Sequence, residues 1–240
     1  MPINNKLNNE TEMPITEHLE ELREKIFLSI LIFVILTILC FYEIKTITYL
    51  LQEPAHGIKF LQLAPGEYLF SSIKVAMYTG LLLSTPLITY QLMSFILPGL
   101  TSKELSYILP LVISSLILFF FGIIFAYKIL VPAAIQFLIN YGADVIEPIW
   151  SLEEYFNFIL LLLFSTGISF QIPIIQILLG LFNIFSSNQM IKSWKYIIFI
   201  STIFGAIITP STDPLTQILI SSAVFLLYLS GCIILKFLNK

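Results

Sequence analysis

The chain has 240 residues, of which 58% are hydrophobic and only 11% are charged, and its formal net charge is −3. A soluble domain of this length needs a far more charged surface, so the composition excludes the soluble classes. The small net charge also gives no reason to expect nucleic acid as a partner. Apolar runs recur at the length of roughly 20 residues that a helix needs to cross a bilayer. The sequence therefore predicts an all-α integral membrane protein.

The N-terminal segment, residues 1–25, is polar and ends in HLEELREK at residues 18–25. It lacks the apolar stretch and cleavage site of a secretory signal, and it lacks the arginine-rich, acid-poor composition of a transit peptide. If the protein works in an organelle, we therefore expect it to be made there. In the plainest interpretation the acids of this segment lie on a solvated first helical turn, where they suit the helix dipole.

Six spans follow within a single membrane domain, at about residues 26–42, 69–97, 105–131, 155–181, 196–209 and 215–235. All are predicted as helices, because a spanning segment must satisfy its backbone hydrogen bonds internally. Pro86, Pro110 and Pro173 fall inside these runs and should kink their helices. The fifth span would be only about 21 Å long, which is shorter than a hydrocarbon core of roughly 30 Å. We therefore expect an uneven, concave bundle with one thin edge.

Capping residues predict where the helices begin, and the distribution of basic residues predicts how the chain is oriented in the membrane. Thr101-x-x-Glu104 and Ser151-x-x-Glu154 have the spacing of a capping box, and Asp213-Pro214 reads as an N-cap followed by proline. With the N-terminus inside, eight of the 12 basic residues lie on the inner side: Lys6, Arg23, Lys25, Lys103, Lys192, Lys195, Lys236 and Lys240. This bias predicts both termini on the cytoplasmic or stromal side.

The sequence offers little for catalysis. His18 and His56 fall on opposite sides of the predicted membrane, and no nucleophile, metal-ligand or catalytic motif accompanies them. Cys40 and Cys232 lie inside apolar runs and read as small hydrophobic residues, not as a disulfide. We therefore predict no enzyme activity, no metal and no cofactor.

Five stretches occur in a characteristic order: HLEELR, FLQLAPGEYL, FILPGLTSKE, SFQIP and ITPSTDPLTQ. Together they resemble the TatC family, the C subunits of the twin-arginine protein translocase. The similarity covers the chain from about Pro14 to Leu235, and APGEY and STDPLTQ look most like the cyanobacterial and plastid branch.

The resemblance implies a non-enzymatic core receptor subunit that binds the signal peptides of folded cargo proteins. It also implies recruitment of TatA- and TatB-type single-span partners, assembly as a homo-oligomer within a larger complex, and transport driven by the proton-motive force. We expect the membrane to be a plastid thylakoid, or alternatively a cyanobacterial thylakoid or bacterial plasma membrane.

The resemblance also assigns signal-peptide residues. Glu21 in HLEELR and Glu104 in the TSKE loop match the acids that recognise two consecutive arginines. A guanidinium and a carboxylate form a planar, bidentate, charge-assisted pair that lysine cannot reproduce. Arg23 would balance the acidic cluster, and Phe95 matches an aromatic residue of the loop region that supports recognition.

Four further matches are assigned partner-contact or structural roles. Pro54 matches a proline of the first outer loop, and Asp213 and Gln217 match polar positions near the outer end of the sixth span. Gln171 departs from the pattern, because many bacterial members have a glutamate there. Each also has a plainer interpretation: Gln171 could hydrogen-bond a neighbouring helix, Asp213 could cap a helix, and Gln217 could face loop water.

A secondary transporter for a small solute remains the alternative. It would predict polar residues gathered at the midplane on broken, symmetry-related helices. Here the acids gather at the predicted inner surface instead. An intramembrane enzyme ranks third, since the chain lacks a catalytic set.

Overall fold

The computed structural model describes residues 15–96, 102–142, 147–208 and 214–238, while the side chains of residues 15–18, 96 and 102–108 lie outside the description. The described helices are α1 (Ile15–Tyr42), α2 (Ile44–Gln52), α3 (Glu67–Ile96), α4 (Ser102–Phe125), α5 (Val131–Gly142), α6 (Leu152–Ser169), α7 (Ile172–Leu181), α8 (Ser187–Lys192), α9 (Trp194–Ile208) and α10 (Pro214–Phe237). The predicted helical class is thus confirmed.

One correction concerns the connections at the far end of the bundle from the chain's N-terminus. Strands β1 (Lys59–Leu61) and β2 (Ile149–Ser151) pair in parallel, so the fold is not purely helical. The chain also stays helical beyond the predicted end of the third span at residue 131, because α4 continues through a π-helical turn, Ala126–Leu130, into α5. Three-residue strands fall below the length at which alternation can be recognised in a sequence.

Among the described residues, four stretches combine the length and apolarity of a membrane span: Leu19–Tyr42, Leu109–Gly142, Leu152–Leu181 and Pro214–Phe237. Helix α3 has 30 residues but carries more polar side chains, and α9 has only 15 residues. At about 1.5 Å per residue, α9 is about 22 Å long. The expected kink at Pro173 is confirmed, since the fourth predicted span divides into α6 and α7 just before that proline.

Side-chain contacts give the direction of each long helix. Lys25 of α1 bonds Ser94 of α3, and Thr37 lies against Gly80, so these helices are antiparallel. Helix α3 runs parallel to α6, while α4 runs antiparallel to α6 and α7. Helix α10 runs parallel to α7 and antiparallel to α9. The start of α1 and the end of α10 consequently lie at the same end of the bundle.

Helices α6 and α7 form the centre of the fold. The first core cluster surrounds α6 and includes Leu130, Phe156 and Ile159, which are almost completely buried. The second joins α7 to α10 through residues such as Ile174 and Leu235. By contrast, α1 exposes most of its apolar surface, which is the pattern of a helix that faces lipid. Cys40 and Cys232 are buried free thiols, as predicted.

Candidate functional site

Three of the four predicted signal-peptide residues, Glu21, Arg23 and Phe95, lie at or beside a groove between the start of α1 and the end of α3, here called the α1–α3 groove. Its volume is about 420 Å³, and its walls are largely apolar, with Leu22 and Ile26 on α1 and Leu92 and Phe95 on α3. The ammonium group of Lys25 donates a hydrogen bond to the hydroxyl of Ser94, 3.2 Å away. This hydrogen bond therefore links α1 to α3 across the groove, at the end where the acidic residues of α1 lie.

The close approach of α1 to α3 depends on Gly80. A Cβ atom at this position would lie 2.8 Å from the Cα of Thr37. Backbone atoms cannot rotate out of the way, so any side chain here would push α1 off α3. Glycine therefore sets the spacing of the two helices that form the groove.

Glu21 and Arg23 lie on α1 at the end of this groove, Glu21 half-buried and Arg23 exposed. Within the described part of the chain Arg23 forms no ion pair with a carboxylate, so the predicted balancing of the acids by Arg23 stays a prediction. Phe95 lies in the last turn of α3 and not in a loop. The side chain of Glu104, near the start of α4, lies outside the described residues, as does the whole of Asp213.

A second polar assembly occupies the opposite end of α3. We call it the cap: residues 43–67 together with residues 149–153. Strand β1 pairs with β2 in the register Lys59 to Ile149, and the hydroxyl of Tyr155 donates to the carbonyl oxygen of Leu51 at 2.5 Å. Pro54 lies in the 3-10 turn between α2 and β1, where its ring fixes the backbone. The cap thus joins the connection that precedes α3 to the connection that precedes α6.

Glu67, the first residue of α3, links the two parts of the cap. One carboxylate oxygen accepts hydrogen bonds from the N–H groups of Leu63 and Ala64, at 2.5 and 3.1 Å. The other accepts from the hydroxyl of Ser151 at 2.9 Å and from the N–H of Glu153 at 3.1 Å. These hydrogen bonds, above all the one from Leu63, lower the pKa of the Glu67 carboxyl. A buried charge therefore fixes the start of α3 against the start of α6.

The predicted capping box at Ser151 is only half present. The Ser151 hydroxyl accepts the N–H of Glu154 at 3.4 Å, but the same hydroxyl donates to Glu67. Glu67 itself was missed as a functional candidate, since APGEY served only as a marker of family branch. The available signal was an acid directly after a proline–glycine turn, in which Gly66 has a φ of +82°.

Gln171 lies at the break between α6 and α7, and its amide is occupied within the chain. The amide nitrogen donates to the carbonyl oxygen of Ser115 at 3.0 Å, and the Ser115 hydroxyl donates to the amide oxygen at 2.5 Å. The interpretation that Gln171 bonds a neighbouring helix is confirmed, and that helix is α4. Contact with a partner subunit stays a prediction.

Gln217 lines a shallow groove of about 440 Å³ between α9 and α10. Its amide donates to the carbonyl oxygen of Thr202 at 3.3 Å. Ser221 donates to the carbonyl oxygen of Ser201 at 3.1 Å, and a Cβ atom at Gly205 would lie 2.8 Å from the Ser221 hydroxyl. Small residues and hydroxyls thus bring α9 and α10 into close contact, as at other helix interfaces within membranes.

Comparison with known proteins identifies the family. A family model described as Sec-independent protein translocase protein (TatC) matches residues 17–222. The chain belongs to the TatC family. It is 64% identical to a tatC-like protein, ycf43, of Gracilaria tenuistipitata var. liui, over 99% of this chain and 100% of that protein. It is 49% identical to the Sec-independent protein translocase protein TatC of Synechocystis sp., over 97% of this chain and 91% of that protein.

TatC relatives also extend to a plant chloroplast and to a solved structure. The chloroplastic TATC of Oryza sativa subsp. japonica is 44% identical over 100% of this chain and 67% of that protein. A crystal structure of the twin-arginine translocase receptor TatC superposes with a TM-score of 0.81 at 33% identity, covering 93% of this chain and 100% of that one. The resemblance found in the sequence is confirmed. The chain is a TatC-type membrane subunit of a protein translocase, and its relatives fit a thylakoid membrane.

Proposed function

We propose that this TatC subunit is the receptor for twin-arginine signal peptides, with Glu21 and Glu104 binding the two arginines. The observation that carries the proposal is the apolar α1–α3 groove directly beside the acidic turns of α1. A twin-arginine signal peptide has its two arginines just ahead of an apolar segment. The arginines would pair with carboxylates at the end of the groove, while the apolar segment lies along Leu22, Ile26 and Leu92.

The proposal includes orientation. The alternating directions of α1, α3, α4, α6–α7, α9 and α10 support six crossings, with both chain ends on one side. The basic residues favour the stromal or cytoplasmic side for that end. In this arrangement the α1–α3 groove opens toward the compartment in which cargo proteins fold, and the cap faces the other compartment. The chain performs no catalysis, and transport is driven by the proton-motive force.

Photo-crosslinking of a twin-arginine peptide to probes at positions 21 and 104 tests this function. Loss of one partner of a partly desolvated, charge-assisted pair costs about 1.5–3 kcal/mol. Glu21→Ala and Glu104→Ala should therefore each weaken peptide binding roughly 10- to 150-fold, with insertion unchanged. Glu21→Gln and Glu104→Gln remove the charge but keep the shape, and they should weaken binding too.

Glu24→Gln is the matched control, because Glu24 is an exposed acid on the same helix, one turn away. It should bind the peptide like the wild type. Full-strength binding by the Glu21 and Glu104 variants would overturn the receptor proposal. A peptide in which both arginines are replaced by lysines should bind weakly to every variant, because lysine lacks the bidentate fork.

The proposed recruitment of TatA- and TatB-type partners is supported by the groove between α9 and α10. Its hydroxyls and the Gln217 amide give a single-span helix a small-residue surface with polar groups at membrane depth. Gln217→Leu should weaken co-purification of the partner by roughly 0.6–2 kcal/mol. Ser230→Ala removes a hydroxyl from the same helix outside the groove and should have no effect. Equal losses in both variants would locate the partner elsewhere.

A further inference from the structure

A third groove, between α2, α3, α4 and α6, has an almost entirely apolar lining. It holds about 320 Å³, at the lower end of the range for small-molecule sites. Leu83, Phe120 and Ile124 expose apolar surface to it. The residue that stands out is Lys128, an exposed lysine on the wall of an otherwise apolar groove.

The other polar groups of this groove are already satisfied within the chain. The hydroxyl of Thr79 donates to the carbonyl oxygen of Val75 at 2.7 Å. The single hydroxyl proton of Tyr127 is shared between two acceptors, the carbonyl oxygen of Leu50 at 2.6 Å and the Glu53 carboxylate at 3.0 Å. A ligand would therefore meet hydrocarbon along the groove and one ammonium group at its rim.

Lys128 is not paired with a carboxylate that the structure describes. Among the described residues, Lys74 of α3 pairs with Glu153 of α6, whereas the ammonium of Lys128 lies 5.1 Å from the ring centroid of Tyr127. That ring contact holds the charge beside the groove without neutralising it. Lys128 also lies in the π-helical turn Ala126–Leu130, in which the N–H of Val131 bonds the carbonyl of Ala126. Such turns occur frequently at functional sites.

The depth of Lys128 matches the level of lipid headgroups. Lys128 lies three residues before the cap-side end of the predicted third span, residues 105–131. A span ends where the hydrocarbon core gives way to the headgroups, so Lys128 lies close to that boundary on the cap side. The groove descends from there: Leu163 lies about 16 Å along α6 from Leu152, well inside the hydrocarbon region.

We propose that this groove binds one acyl chain of an anionic glycerolipid, whose headgroup is held by Lys128. An acyl chain needs no polar partner along its length, and an anionic headgroup supplies the charge that Lys128 lacks. A partner helix fits these features less well, because it would have to place an acid at this one depth. The lipid would fill the space between the cap and the core and so brace α2 against α4.

Native mass spectrometry of the full chain, from bilayers of equal phosphatidylglycerol and phosphatidylcholine, tests the headgroup contact. The wild type should retain phosphatidylglycerol in preference to phosphatidylcholine. Lys128→Gln should lower that retention about fivefold, and Lys128→Arg should restore it. Lys45→Gln is the matched control, because Lys45 is an exposed lysine of α2 outside the groove. Wild-type retention by Lys128→Gln would overturn the proposal.

A second pair of variants, one inside the groove and one outside it, tests the contact with the acyl chain. Ile124→Trp fills the groove and should displace phosphatidylglycerol, whereas Ile117→Trp, two turns earlier on the same face of α4, should leave it bound. Undiminished retention by Ile124→Trp would overturn the proposal. So would a cross-link from position 124 to a single-span partner in lipid-containing discs, since it would assign the groove to a helix.

Discussion

The cap and the α1–α3 groove lie at opposite ends of α3, and they are built in different ways. In the cap, one carboxylate, several hydroxyls and two paired strands join elements that are distant in sequence. At the groove, α1 lies along α3 through a glycine contact and the hydrogen bond from Lys25 to Ser94, and its other face is left exposed. One end of the molecule is fixed by polar contacts, and the other keeps an apolar surface accessible to a ligand.

This difference suggests a division of labour. The end proposed to bind the signal peptide must exchange ligands, so its walls cannot be filled by contacts within the chain. The cap end must hold the helices at a constant spacing, because the position of α3 at the cap also sets the position of α3 at the groove. If this view is correct, cap variants should lower stability and groove variants should change binding.

The largest effect should come from Glu67→Ala. It leaves four donors of the cap without their acceptor, among them the part-buried N–H of Glu153. We expect a larger loss of thermal stability from Glu67→Ala than from Gly80→Ala, Tyr155→Phe or Gln171→Leu. Differential scanning fluorimetry in detergent measures it, and a smaller loss than that of Tyr155→Phe would contradict the importance given to Glu67.

Glu67 also predicts a pH dependence. Because hydrogen bonds lower the pKa of its carboxyl in the folded protein, the ionised form contributes stability above the ordinary carboxyl pKa. That contribution is lost as the pH falls through the lowered pKa. The stability difference between wild type and Glu67→Gln should therefore shrink on acidification, and a constant difference would contradict the sign of the shift.

A smaller effect should follow from Gly80→Ala. The added methyl group meets the backbone of Thr37, and overpacking of this kind costs about 1–3 kcal/mol. Because it separates α1 from α3, peptide binding should fall together with stability. Gly142→Ala is the control, since a Cβ atom there meets nothing within 4 Å. Unchanged peptide binding by Gly80→Ala would show that the close contact at Gly80 does not determine the shape of the groove.

Tyr155→Phe should be milder still. It removes the hydrogen bond to the Leu51 carbonyl while keeping the ring in place, at a cost of about 0.5–1.5 kcal/mol. Unfolding measurements should show this loss with peptide binding intact. A binding defect without a stability defect would mean that the cap reaches the receptor end by another route.

The smallest effect should be the coupling free energy between Gln171 and Ser115, which lie between the cap end and the groove end of the molecule. A double-mutant cycle of Gln171→Leu and Ser115→Ala should give a coupling of about 0.6 kcal/mol, typical of hydrogen bonds between membrane helices. Zero coupling would mean that the hydrogen bond between the Ser115 hydroxyl and the Gln171 side chain does not contribute to stability. Loss of partner assembly in Gln171→Leu alone would restore the idea of a contact with another subunit.

The sequence by itself determined the class, the approximate helices and the family. Long apolar runs must become helices in lipid, whatever surrounds them, and the break before Pro173 follows from its missing N–H. The family was assigned from the five stretches, among them HLEELR and FILPGLTSKE, and from the order in which they occur along the chain. The sequence also predicted that Phe95 lies near Glu21 and Arg23. HLEELR precedes the first span and FILPGLTSKE follows the second, so both stretches lie at the same side of the membrane.

Tertiary structure decided what the polar residues do. Glu67 gained its role only when α6 brought Ser151 and Glu153 within hydrogen-bonding distance, and no local pattern encodes a contact across more than 80 residues. The two strands are too short to show alternation, and Gln171 has no sequence signal that points to Ser115. Spacing along a helix fixes which face a residue occupies, but the partner on that face depends on how the helices pack.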